Sequence, residues 1–173
     1  MNIYLAGPLF TQAEQNWLKG LKTEILALAE IGGKEIAVVW PYELVSPQDL
    51  EKWGEDAKHH IFSMCEKHLK ETDVLIALLD GSLVDDGTSW EIGYYYSIRK
   101  DDQPILGIRT DFRNAGDVPG AQVNLMIDCS CDFIFSSSEA LLNKLRDILN
   151  LFRNSLKLFN RQGLERFWND SAG

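Results

Sequence analysis

A chain of 173 residues is most simply one domain, long enough to bury about two-thirds of its unfolded surface without a disulfide or metal staple. Its 45% hydrophobic and 25% charged content is ordinary for a globular protein. A net charge of −9 argues against a nucleic-acid polymer or an anionic membrane as partner, while leaving a small neutral ligand open.

The first strand is predicted over "NIYLA", ending at Gly7-Pro8. No basic region precedes it, so no signal peptide is expected, and no run approaches the roughly 20 apolar residues of a membrane span. A helix follows from Thr11: Thr11 and Glu14 form a capping-box pattern, Leu18, Leu21, Ile25 and Leu28 recur at helical spacing, and Gly32-Gly33 stops it. "EIAVVW" is expected as a second, buried strand. Ser46 before Pro47 opens a helical region in two pieces, broken near Gly54. "VLIALLD" is the third strand, and its unbroken apolar run suits a strand covered on both faces. A helix is expected from about Ser89 to Lys100. "PILGIR" is the fourth strand, "TDFRNAGDVPGAQVNLM" a long polar connection, "DFIFSS" the fifth strand and "SEALLNKLRDILNLFRNSLKLF" a closing helix. The remaining tail, about 155–173, is expected to be peripheral. The alternation implies a flavodoxin-like α/β fold, a doubly wound parallel five-stranded sheet of order 2-1-3-4-5, spanning 1–173 as one domain. Ligands of such sheets bind beyond the carboxyl ends of the strands where the order reverses, which brings together the loops after strands 1 and 3.

The loop after strand 3, "DGSLVDDGTSWEIG", is unusually acidic and small. Glu91 is expected in the first turn of the next helix, where the dipole favours a carboxylate, and Thr88 or Ser89 as its cap. An ionised, positioned glutamate can attack a sugar carbon bearing a leaving group. Gly87 and Gly93 permit close approach, and Asp85 and Asp86 can accept hydrogen bonds from hydroxyls. Singly, such residues are usually a turn and ordinary dipole electrostatics. Together, at the expected ligand edge, they favour a site.

"IYLAGPLF", "DGSLVDDGTSWEIGY" and "VNLM" resemble the nucleoside 2-deoxyribosyltransferases, in order and spacing across most of residues 1 to 127. The resemblance implies Glu91 as nucleophile on C1′ of a 2-deoxyribosyl group, Tyr4 as its orienting partner, and Asp73 near the base, helping to protonate it. It implies Asp85 on the 5′-hydroxyl, Asn124 reaching that hydroxyl in a neighbouring subunit of a homo-oligomer, and Phe10 against the base. Gly7, Gly87 and Met126, within the same motifs, are expected at the substrate. The partners would be a deoxyribonucleoside and a free nucleobase, with no cofactor. Two carboxyl groups roughly 5 Å apart would suit a retaining covalent route, by analogy with O-glycosidases. The alternatives are an N-glycoside hydrolase with the same nucleophile and a non-catalytic nucleoside- or nucleotide-binding domain. The related deoxynucleoside 5′-monophosphate glycosidases carry serine six positions before the glutamate. Here Asp85 stands there and would repel a phosphate, favouring a free 5′-hydroxyl.

Other signals point away from chemistry. His59, His60, Cys65 and His68 include zinc-type donors but lack HExxH spacing and a nearby fourth ligand, so no metal is expected. Cys129 and Cys131 flank one serine, and the three cysteines suit reduced thiols in a cytoplasmic protein. Tyr94, Tyr95 and Tyr96 cannot all face one ligand from a helix, so packing is expected of them. Arg109, Asp111 and Arg113 suit either a flap over the site or a plain solvated loop.

Overall fold

The computed structural model describes residues 1–33 and 35–151; the expectation for the tail lies outside the described residues. Five parallel strands form one sheet in the order β2-β1-β3-β4-β5: β1 Asn2–Ala6, β2 Ala37–Val39, β3 Val74–Leu78, β4 Ile105–Ile108 and β5 Phe133–Phe135. Helices α1 Gln12–Ile31, α2 Pro47–Trp53, α3 Ala57–Lys70, α4 Asp86–Ile98 and α5 Leu125–Ser130 lie between them, and α6 covers 138–151. This is the doubly wound, flavodoxin-like arrangement read from the sequence. Among the described residues no helix is long and apolar enough to cross a membrane.

Strand alternation divides the core into two layers. Ile3 and Leu5 of β1, with Val74, Ile76 and Leu78 of β3, pack against Leu18, Leu21 and Ile25 of α1 and Leu141 and Leu145 of α6. Tyr4 and Ala6, with Leu75, Ala77 and the following Leu79, face the other way, toward Leu69 of α3 and Ile92 and Tyr95 of α4. The continuous apolar run of β3 therefore divides between two helical layers, and all five of its residues are buried. Tyr4 belongs to the layer beneath α3 and α4, which is what brings it to the site described below.

Local signals act as the sequence suggests at α1: Thr11 Oγ1 accepts from Glu14 N–H at 3.2 Å and Glu14 Oε2 from Thr11 N–H at 2.8 Å. The second helical region breaks at Gly54, whose φ of +52° favours glycine, and a single 3-10 turn over Gly54–Asp56 leads into α3. Two expectations change. The second strand shrinks to three exposed or half-buried residues, because β2 lies at the sheet edge and pairs only with β1. The polar connection ends in a helix, since Asn124 caps α5 by accepting from Met126 N–H at 2.9 Å.

Gly107 on β4 marks a tight contact. A methyl group there would stand 2.7 Å from Cδ1 of buried Leu79 and 3.1 Å from Cγ1 of half-buried Ile134. Gly107→Ala is expected to cost about 1–3 kcal/mol through overpacking, measured as a lowered urea midpoint at unchanged m-value.

Candidate active site

Helix α4 begins three residues earlier than expected, because Asp85 caps it in place of Thr88 or Ser89. Asp85 Oδ2 accepts from Thr88 N–H at 2.9 Å and from Thr88 Oγ1–H at 3.0 Å, and the Asp85 carbonyl accepts from Ser89 N–H at 2.8 Å. The earlier start moves Glu91 out of the first turn into the second. There the helix N-terminus no longer dominates its ionisation, since that effect fades within a turn. Burial raises the Glu91 carboxyl to about 7, the Tyr4 hydrogen bond opposes the rise, and the Asp85 charge adds to it.

Tyr4 donates its hydroxyl proton to Glu91 Oε1 at 2.6 Å. Eighty-seven residues separate the two in sequence. Register makes the meeting possible: Tyr4 pairs with Leu75 at the centre of the sheet and points up into the α3–α4 layer. Tyr4 is fully buried. Burial, then the Glu91 charge, raises the phenol far above its usual range, so it stays protonated and acts as donor.

Beside this pair lies a cleft of about 470 Å³ between α3 and α4. Its α3 wall carries Lys58, Ile61, Phe62 and Cys65, and its α4 wall carries Gly87, Trp90 and Glu91. Phe62 and Trp90 meet with ring centroids 5.2 Å apart, and Trp90 stacks on Tyr94 at 5.0 Å with rings 8° from parallel. The result is a mostly apolar slot with an aromatic flank and one half-buried carboxyl in its wall. A flat heteroaromatic ring fits such a slot. The sequence reading did not place Phe62, Trp90 or Cys65 here. A signal was present: positions 58, 61, 62 and 65 share one helix face.

The remaining candidates divide. Gly87 lines the cleft, and Asp85 lies near enough to act on Glu91 electrostatically. Asp73 does not join them. It precedes β3, at the amino edge of the sheet, where its carboxylate accepts from Asn2 N–H at 2.8 Å and its N–H donates to the Asn2 carbonyl at 2.8 Å. The expected site lies at the opposite, carboxyl edge. Gly7 is buried, and its missing side chain makes room for Leu18 and Leu78, 3.0 and 3.2 Å from where a Cβ would stand. Core packing is enough to explain that glycine. Phe10 is 79% exposed in the loop after β1. Asn124 and Met126 line a second cleft of about 440 Å³, against Asp86, Ser89 and Gly93 on a different face of α4 from Glu91. Asn124 also donates to Asp117 Oδ2 at 3.0 Å.

Arg109 is no part of a flap. It is 2% exposed and donates to the carbonyls of Leu79, Gly81 and Arg113. Asp80 returns the connection, accepting from Thr110 N–H at 2.5 Å and Asp111 N–H at 3.0 Å. Together they stitch the loop that leads to Asp85 onto the segment after β4. The three tyrosines point three ways: Tyr94 donates to Glu66 at 3.0 Å, buried Tyr95 to the Thr72 carbonyl at 3.1 Å, and Tyr96 lies under the Arg99 guanidinium. His60 stacks on Trp53 with ring centroids 4.8 Å apart.

Comparison with known proteins adds a family. Residues 3–126 match the family model described as nucleoside 2-deoxyribosyltransferase. An uncharacterized protein of Ureaplasma parvum is 33% identical over 155 residues, covering 84% of this chain and 94% of that protein. The crystal structure of a conserved protein from Enterococcus faecalis superposes with a TM-score of 0.67 at 26% identity, covering 85% of this chain and 98% of the other. A 2-deoxyribosyltransferase from Bacillus psychrosaccharolyticus gives 0.61 at 26% identity, covering 83% and 91%.

The raised Glu91 ionisation has a consequence for stability. A carboxyl at about 7 in the folded state against 4.5 as a free side chain contributes stability that is complete below pH 4.5 and is lost as the pH rises to about 7. The loss is on the order of 3 kcal/mol. Glu91→Gln cannot titrate, so over this interval wild type should lose stability relative to the variant by that order. Denaturant titrations of both proteins at pH 5 and pH 8 measure the divergence, and parallel curves would exclude a buried, elevated carboxyl.

Proposed function

The chain belongs to the nucleoside 2-deoxyribosyltransferase family, and on that premise we propose that it cleaves the N-glycosidic bond of 2′-deoxyribonucleosides and transfers the deoxyribosyl group to another nucleobase through a covalent intermediate on Glu91. The observation that carries the reading is the 2.6 Å bond from the Tyr4 hydroxyl to Glu91 Oε1 in the wall of an aromatic cleft. A module that only binds has no need of a desolvated carboxyl held by a buried phenol. A nucleophile that must be oriented does.

In this reaction Glu91 attacks C1′ as the bond to the base breaks, and the bonding pair leaves on the base nitrogen. Tyr4 fixes one carboxylate oxygen, leaving the other to attack. The attacking form is the carboxylate, so a group at about 7 is roughly half competent at neutral pH. Desolvation that raises its basicity also strengthens it as a nucleophile. The base lies in the cleft flanked by Phe62 and Trp90. The sugar lies toward Asp85, whose free lone pairs suit a 5′-hydroxyl and whose charge disfavours a 5′-phosphate. A second base then attacks C1′, regenerating the carboxylate. Asn124, the cap of α5, lines a cleft against a different face of α4 and suits contact with a neighbouring copy's sugar, which makes the active form a homo-oligomer with shared sites.

Incubation with one deoxyribonucleoside and a different free base tests the reading. A new nucleoside is expected. Free deoxyribose alone would make the protein a hydrolase, and neither product would leave a binding module. Glu91→Ala should reduce turnover by at least about 10³-fold, since a covalent step has no substitute nucleophile, with circular dichroism unchanged.

Asp73 separates the structural from the chemical assignment. Asp73→Ala should lower stability by about 1 kcal/mol through loss of the bond from Asn2 N–H, while kcat stays within about threefold. A loss of kcat approaching that of Glu91→Ala would return Asp73 to the chemistry.

A further inference from the structure

The cleft holds an ionisable group that the reaction as drawn leaves idle. Cys65 lines it from α3, in the same cavity as Glu91. The Tyr4 hydroxyl has a single proton and gives it to Glu91, and both groups stand near enough to Cys65 to act on its ionisation. Burial raises the thiol above its usual range; the Tyr4 contact works against that, and the Glu91 charge adds to it. The thiol therefore carries its proton at neutral pH. Its charged and titratable surroundings are Tyr4 from β1, Lys58 on α3 itself, and Glu91 from α4, with Asp85 beyond Glu91. Asp73 lies at the other edge of the sheet, and Lys58 is exposed.

We propose that Cys65 is the proton donor to the departing nucleobase and takes the proton back from the incoming one. The inference rests on the assignment of Glu91 as nucleophile. As the Glu91 oxygen bonds to C1′, the glycosidic C1′–N bond breaks and its electron pair goes to the base nitrogen. The thiol proton moves to the base, leaving a thiolate. In the return half, the incoming base gives its N–H proton to that thiolate, its nitrogen attacks C1′, and the Glu91 carboxylate departs. The cleft holds one negative charge throughout, first on Glu91 and then on Cys65. Formation of the ester removes the charge that opposed the thiolate. It also turns the oxygen that Tyr4 holds into an ester carbonyl, a weaker acceptor than a carboxylate, so the phenol can turn toward the sulfur. The acid thus strengthens at the moment the leaving group needs a proton.

The test compares leaving groups. Rates of glycosyl-enzyme formation are measured by rapid quench and intact-protein mass for wild type, Cys65→Ala, Cys65→Ser and Lys58→Met. Substrates are 2′-deoxyribosides of ordinary nucleobases and 4-nitrophenyl 2-deoxyriboside, whose leaving group needs no proton. Both Cys65 variants are expected to lose about 10²–10³-fold on the nucleobases and less than about threefold on the nitrophenyl substrate, which also serves as the control for an intact fold; Lys58→Met should show no such contrast. Wild type that carries sugar on Glu91, together with Cys65 variants that lose equally on every substrate or little on any, overturns the inference and leaves the nucleophile standing. The leaving-group contrast following Lys58 instead of Cys65 does the same. Wild type that carries no sugar on Glu91 from either substrate class overturns both.

Discussion

The hydrogen bond from Tyr4 to Glu91 ties the sheet to the helical layer above it, and the state of the carboxyl in the cleft depends on it. Neither partner would sit where it does for stability alone. A carboxyl removed from water resists ionisation, and a phenol buried under two helices needs an acceptor. Each supplies what the other lacks. The balance leaves Glu91 near neutrality, between the fully ionised state of a surface carboxylate and the fully protonated state of an isolated buried one.

That pairing follows from small facts of geometry. β1 sends alternate residues to opposite layers, so Tyr4 faces α4 while its neighbours Ile3 and Leu5 face α1. Asp85 fixes where α4 begins, and therefore which helical residue stands over Tyr4. The stitch from Arg109 and Asp80 holds the loop before Asp85 against the segment after β4. A slip at any of these points would leave the glutamate in place along the chain and misplaced in space.

The sheet order and helix sequence were legible because apolar runs, the Thr11 capping box and the break at Gly54 are local signals with local causes. The extent of β2 was not, because an apolar run does not say how many neighbours a strand will have. The meeting of Glu91 and Tyr4 was legible through the motif that carries them. Asp73 misled because proximity along the chain to β3 says nothing of which end of the strand meets the ligand; it stands one residue before the strand, on the wrong edge. The α3 wall was missed for a related reason. Lys58, Ile61, Phe62 and Cys65 share a face, but only the packing of α3 beside α4 shows that the face looks into a cleft. Asn124 and Met126 were identified as motif residues and still lie away from Glu91, since sequence motifs do not record which face of a helix they approach.

The desolvation of Glu91 also makes occupancy and protonation a single equilibrium. Whatever enters the slot replaces the solvent that remains next to the carboxyl. A flat apolar ring, offering no donor, drives the group toward its acid form and draws a proton from the medium. A ligand that presents an N–H to the same oxygen releases one. Affinity for the first kind weakens, and for the second tightens, as solution grows more alkaline through neutrality. The cleft thereby distinguishes a ring that merely fills it from one that hydrogen-bonds Glu91.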